Sequence, residues 1–181
     1  MFQRFTREAR RAIFWGRLEA LHRDENCIDI RDLLLGLTWE EESRAVRIAA
    51  LKERAVEARA FLGIPHLPST AFPYFREKEI KLSNDAKKVL AYARVEADLD
   101  REYWIDADHI LRGIFRIPNP ASQFLTQQGI TLGSLRSASL QDRREHPPAS
   151  KPERRGIILS ILLLVAIVWL LSLLVRLVRM W

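Results

Sequence analysis

Residues 5–37 of this 181-residue chain recur without a gap as residues 82–114, at a constant offset of 77. Nine of the 33 aligned positions are identical, where chance agreement at ordinary composition gives about two. An ungapped repeat restricts the chain to folds assembled from two copies of one supersecondary unit. The identities are Ala9/Ala86, Arg17/Arg94, Glu19/Glu96, Ala20/Ala97, Glu25/Glu102, Ile28/Ile105, Asp29/Asp106, Leu34/Leu111 and Gly36/Gly113.

The unit is helical. Ala9, Ala12, Ile13, Gly16 and Ala20 recur at helical spacing, and the second copy offers Ala86, Val89, Leu90, Ala93 and Ala97. Each copy thus carries a narrow stripe of small residues, against which a neighbouring backbone can approach closely. Thr6 and Ser83 stand where a hydroxyl can cap the first helix of each copy, and Asp29 and Asp106 where a carboxylate can cap a shorter second helix. The first copy is expected to continue into one long charged helix over 41–62, ended by Gly63 and Pro65. The second breaks at Pro118 and Pro120 and resumes as a helix over 121–128 and a last one from Leu132. No segment reads as a strand.

The C-terminal end differs in kind. Residues 157–175, IILSILLLVAIVWLLSLLV, carry no charge and only two serines. At 1.5 Å per residue such a helix is about 28 Å long, matched to the hydrocarbon core of a bilayer. The expectation is a membrane anchor running from Ile157 through Leu164 and Trp169 to Val175, with Trp181 as an interface-seeking side chain. Arg143, Arg144, Lys151, Arg154 and Arg155 precede the span against Arg176 and Arg179 beyond it, which favours a cytoplasmic N-terminal domain in a tail-anchored, single-pass topology. Residues 141–155, with three prolines, read as a hydrated tether whose basic groups can touch anionic lipid heads.

The formal charge of +6 is no nucleic-acid footprint. Residues 1–140 hold 22 basic and 20 acidic side chains, and the remaining excess lies in the tether and beyond the span. Cys27 is the only cysteine, so no internal disulfide can form. The charged opening Arg4 to Glu8 does not read as a secretory signal.

Taken in order, Phe5-Thr6-x-x-Ala9-Arg10-Arg11, Ser83-x-x-Ala86-Lys87-Lys88-Val89-Leu90, Asp108-His109-Ile110-Leu111-Arg112-Gly113-Ile114 and Gly129-Ile130-Thr131-Leu132-x-x-Leu135-Arg136 resemble the double Clp repeat domain found at the N-terminus of Clp-type AAA ATPases. The resemblance covers about residues 1–140. It implies an all-α, pseudo-two-fold bundle of duplicated four-helix repeats, here with a C-terminal transmembrane helix added. The expected organisation is repeat 1 over 1–62, a connector over 63–78, repeat 2 over 79–140, the tether over 141–155 and the anchor over 156–181. In the family the domain binds adaptors, peptide segments or substrates and passes them to an ATPase ring. No phosphate-cradling Gly-Lys-Ser/Thr occurs in these residues, so neither a ring nor nucleotide binding is expected.

Some members of that family bind phosphorylated arginine through a hydroxyl at the first helix and a carboxylate in the second. The resemblance carries those roles to Ser83 and Asp108 in the second copy. In the first copy Thr6 remains, but Arg31 replaces the carboxylate and would repel a guanidinium. Helix capping is the plainer role for Thr6, Ser83 and Asp108.

His22, His66, His109 and His146 never pair at ligand spacing, and no triad or acid–base pair of carboxylates is present, so no metal, cofactor or enzymatic activity is expected. His109 reads as a structural imidazole and Cys27, aligned with Trp104, as an apolar packing position. Glu40, Glu41 and Glu42 read as acids preceding a helix. The connector gathers Phe72, Tyr74 and Phe75, a strap across the repeat seam or a binding lip. The sequence therefore points to a bacterial, membrane-tethered protein- or peptide-binding module, an adaptor or recruiter for proteolysis or chaperone machinery, its partners a protein or peptide and the lipid bilayer. The alternative is a membrane-anchored scaffold or dimerisation subunit.

Overall fold

The computed structural model describes residues 2–65 and 79–145. Among them are eight helices in two sets of four. The first set is α1 (Arg7–His22), α2 (Ile30–Trp39), α3 (Arg44–Ala49) and α4 (Ala55–Phe61). The second is α5 (Asn84–Leu99), α6 (Ala107–Ile114), α7 (Pro120–Gln127) and α8 (Leu132–Glu145). Each helix of the second set begins close to 77 residues after its counterpart, so the duplication extends past the 33 aligned residues to the whole four-helix unit.

The expected caps are in place. Thr6 and Ser83 accept hydrogen bonds from the Ala9 and Ala86 amides at 3.2 and 3.0 Å. Asp29 accepts from the Arg31 and Asp32 amides, and Asp106 from that of Ala107. Each second helix also closes a capping box. The Asp32 carboxylate accepts the Asp29 amide at 2.8 Å, and His109 Nδ1 accepts the Asp106 amide at 2.8 Å. Carboxylate and imidazole thus do the same work at equivalent positions.

The small-residue stripes are where the paired helices meet. Ala9, Ala20, Ala86, Ala93 and Ala97 are wholly buried. A Cβ built on Gly113 would lie 2.5 Å from the Val89 carbonyl oxygen, and one on Gly36 would collide with the carbonyl of Ala12, the residue equivalent to Val89. Ala9→Leu or Ala86→Leu is therefore expected to cost about 1–3 kcal/mol in urea unfolding, whereas Arg10→Ala and Lys88→Ala, at exposed positions, should change stability by less than about 0.5 kcal/mol. Equal tolerance at all four positions would refute the close-packed stripe.

Three sequence expectations need correction. The long helix over 41–62 is two short ones, because Ala50 adopts a left-handed conformation, φ 46°, and the chain turns through 51–54 before α4. Ser43 caps α3 through the Val46 amide, so Glu40 is not an acid at a helix start. It closes α2 and lies buried against Arg11 at 3.0 Å. Two strands, β1 (Cys27–Ile28) and β2 (Lys81–Leu82), pair in parallel although none was expected. Two residues are too few to show the alternation that marks a strand.

Those strands join the repeats. Ile28 pairs with Leu82, and Phe5 forms an isolated parallel bridge with Ile105. Shifting either residue pair by the repeat offset generates the other, which is the local signature of a pseudo-two-fold. The Ser83 amide donates to Ile28 O at 2.9 Å and the Thr6 amide to Ile105 O at 3.0 Å, completing the symmetry. Cys27 is half-buried in β1.

Helix α8 continues through Glu145, past the boundary expected at 140. Among the described residues no helix is long and apolar enough to cross a membrane; the span expected at 157–175, with Ile157, Leu164, Trp169, Val175 and Trp181, lies outside them. So do Phe72, Tyr74 and Phe75 of the connector.

Candidate functional site

The ligand-facing positions suggested by sequence divide once they are placed. Ser83 sits at the surface end of α5, its hydroxyl engaged as the cap. Thr6 is engaged likewise and also donates to Asp106 at 3.1 Å. Arg31, the charge reversal in the first copy, leans back onto its own cap, Asp29, at 2.7 Å.

Asp108 does not face solvent. It is fully buried, accepting from Ser139 of α8 at 2.7 Å and from Arg112 at 3.2 Å, with Arg44 of α3 at 3.5 Å. A carboxylate so enclosed cannot meet a ligand at the surface, and the peptide-binding role expected for it is replaced by a structural one. Burial opposes its charge, yet the fields of His109, Arg44 and Arg112 and the Ser139 hydroxyl outweigh this and lower its pKa. Sequence spacing could not reveal this, because its partners come from α3, α6 and α8.

Around Asp108 an ionic network ties α3 of the first repeat to α6 and α8 of the second. Arg44, from the first repeat, lies within 3.7 Å of Asp106 and 3.2 Å of Asp142. Arg47 grips Asp142 with two hydrogen bonds, at 2.9 and 3.0 Å. Arg143 reaches Glu102 at 2.9 Å, and both Arg143 and Arg112 bond to Asp100. Asp100 is partly buried, but hydrogen bonds from His109, Arg112 and Arg143 hold its carboxyl well below the usual carboxylate range. His109 is fully buried as the expected structural imidazole, with Nε2 at 3.2 Å from Asp100.

Three features of this network repeat. Glu19 and Glu96 are both buried, and both hold an arginine from the last helix of their own repeat. Arg59 reaches Glu19 at 3.1 Å, and Arg136 reaches Glu96 at 2.9 Å. Those two arginines are themselves 77 residues apart. Third, Arg23 pairs with Asp32 in the first copy where Asp100 meets His109 in the second, the same two positions with the carboxylate on the opposite partner. Among the described residues no three His, Cys, Asp or Glu side chains stand together to hold a metal.

Two concavities open where the repeats join, and Phe2 lines both. One, of about 420 Å³, is lined by Arg4, Phe5, Leu90, Arg94 and Ile105 among others. The other, of about 560 Å³, lies between α1 and the chain leading into α5 and includes Ile13, Phe14, Ile28, Ile80 and Leu82. Both include Leu82 and Lys87, the neighbours of capped Ser83. Among the described residues these two openings are concave and partly apolar, whereas Asp108 is enclosed.

The sequence model of the Clp repeat (R) N-terminal domain family matches residues 4–128. The chain is similar to the chaperone protein ClpB of Oceanobacillus iheyensis, 27% identical over 147 residues, covering 78% of this chain and 17% of that protein. It is also similar to the ATP-dependent Clp protease ATP-binding subunit ClpA homolog of Porphyra purpurea, 27% identical over 156 residues, covering 83% and 18% respectively. The chain thus spans less than a fifth of the length of these relatives. Its fold matches the crystal structure of the N-terminal domain of the caseinolytic protease associated chaperone ClpD from Arabidopsis thaliana. The TM-score is 0.60 at 20% identity, over 80% of this chain and 97% of that one.

Proposed function

Because this chain belongs to the Clp repeat N-terminal domain family, we propose that it is a protein- or peptide-binding module of that type, held at a membrane by residues 157–175. The observation that carries the reading is the family match across both repeats, joined to a fold with open concavities at the repeat junction. The named relatives are a chaperone and an ATP-binding subunit of a protease, so the partner is sought among clients or components of such machinery. The role is recruitment: a segment bound at the domain is kept near the bilayer. The chain purified from its native membrane should bring a protein partner with it, in proportion and without cross-linking. Purification of the chain alone, at every ionic strength, would count against recruitment.

A second reading has one observation in its favour. Helix α5 exposes Tyr92, Val95 and Leu99 along one face, an apolar stripe on which two copies could meet. Light scattering separates the readings, since a scaffold requires self-association at micromolar concentration.

The membrane part is tested separately. The whole chain is expected to resist alkaline extraction from membranes, while a chain ending at Arg155 should be released and keep its helical circular dichroism. Unfolding of the shortened chain would mean that 156–181 belong to the fold. In sealed vesicles with the cytoplasmic face inward, added protease should spare the domain; digestion would reverse the orientation.

A further inference from the structure

We propose that the larger concavity at the repeat junction takes an acidic peptide segment anchored by one large apolar side chain. This rests on the peptide-binding reading above and specifies its ligand. The floor is apolar: Ile13, Ile28 and Ile80 are buried there, while Phe14 at one edge is 49% exposed. The volume, about 560 Å³, suits a large side chain together with its adjoining backbone.

The rim is predominantly basic. Arg10, Lys81 and Lys87 line the opening and are exposed, and none of them pairs with a carboxylate among the described residues. Basic groups elsewhere in the domain are engaged: Arg4 with Asp98, Lys88 with Asp85, Lys52 with Glu41. The one acidic residue lining the concavity is Glu79. Unpaired cations above an apolar, low-dielectric floor focus a positive field, which attracts carboxylates on either side of an anchor and repels a cationic segment. A concave, apolar-floored opening also fits a protruding side chain better than the flat array of headgroups at a bilayer surface.

The test uses the full chain in uncharged detergent micelles and three fluorescent peptides, read by anisotropy. The first carries a Phe flanked by Glu and Asp, the second the same Phe flanked by Lys, and the third the acidic flanks with Ala for Phe. The acidic Phe peptide is expected to bind at least about tenfold tighter than either of the others, with an affinity that falls as salt rises. Arg10→Glu combined with Lys87→Glu, both exposed and checked for native circular dichroism, should erase that preference and favour the Lys-flanked peptide. Equal binding of the acidic and basic Phe peptides would overturn the charge inference while leaving peptide binding intact. Failure of every peptide to bind would overturn both. Loss of the acidic peptide's binding when the micelle is replaced by a phosphatidylserine nanodisc, but not by a phosphatidylcholine one, would assign the rim to lipid headgroups and overturn the peptide assignment.

Discussion

Gly36→Ala is expected to destabilise the domain more than any other single methyl addition among the described glycines. The new Cβ would fall 2.5 Å from the Gly16 amide nitrogen and collide with the Ala12 carbonyl. Both are backbone atoms of α1, so no side chain can swing aside, and α1 and α2 must separate along the seam that buries Ala9, Ala12 and Leu33. Overpacking of a rigid seam costs about 3 kcal/mol or more, against a helix-propensity gain of about 1 kcal/mol for replacing glycine. With a total stability of about 5–15 kcal/mol for a domain of this kind, the variant should be marginal at physiological temperature. Gly133→Ala is the control. It is also helical, its nearest neighbour would be Thr131 Oγ1 at 3.9 Å, and it should be neutral or stabilising. Urea unfolding of both variants decides the matter. A Gly36→Ala protein as stable as the Gly133→Ala one would show that the two helices are not in close contact.

Asp108→Ala is the second large effect, and it is an effect on folding, not on ligand affinity. The substitution leaves Arg44 and Arg112, both buried, without the carboxylate that lies between them, and strands the Ser139 hydroxyl. Removing one partner from a buried ionic network costs about 3–5 kcal/mol, because the remaining charges stay desolvated. By contrast, Asp85→Ala breaks an ion pair with Lys88 whose side chains are 58% and 62% exposed, and should cost less than about 1 kcal/mol. Thermal unfolding of Asp108→Ala, Asp108→Asn and Asp85→Ala should rank them in that order of damage, Asn retaining part of the hydrogen bonding. A folded Asp108→Ala protein of wild-type stability would return this carboxylate to the surface and to consideration as a ligand contact.

Much of the local structure was legible because it is written in short-range chemistry. Thr6, Ser83, Asp29 and Asp106 cap the helices they were expected to cap, since a hydroxyl or carboxylate before an apolar helical pattern has few other uses. The alanine stripes marked the buried faces for a similar reason. At the seam only a small side chain fits, and its spacing along the helix shows directly in the sequence.

The break in the supposed helix over 41–62 was hidden, because Ala50 gives no warning of a left-handed backbone: alanine is the strongest helix former. The strands were hidden because each is two residues long and exists only through its partner in the other repeat.

The candidate site shows the same division. Sequence alone determined that one helical unit is used twice, that its first helices are capped, and that stripes of small residues mark a close approach; the caps and stripes follow from residues within a few turns of one another, and the duplication from a constant offset. Only the tertiary structure decided that Asp108 points inward, that α8 continues to Glu145 to bring Asp142 and Arg143 into the network, and that Arg10, Lys81 and Lys87 surround one apolar opening. Those groups are brought together from α1, α3, β2, α5, α6 and α8, and a buried charge or a concave surface is a property of the elements that enclose it, which no spacing along a single helix records.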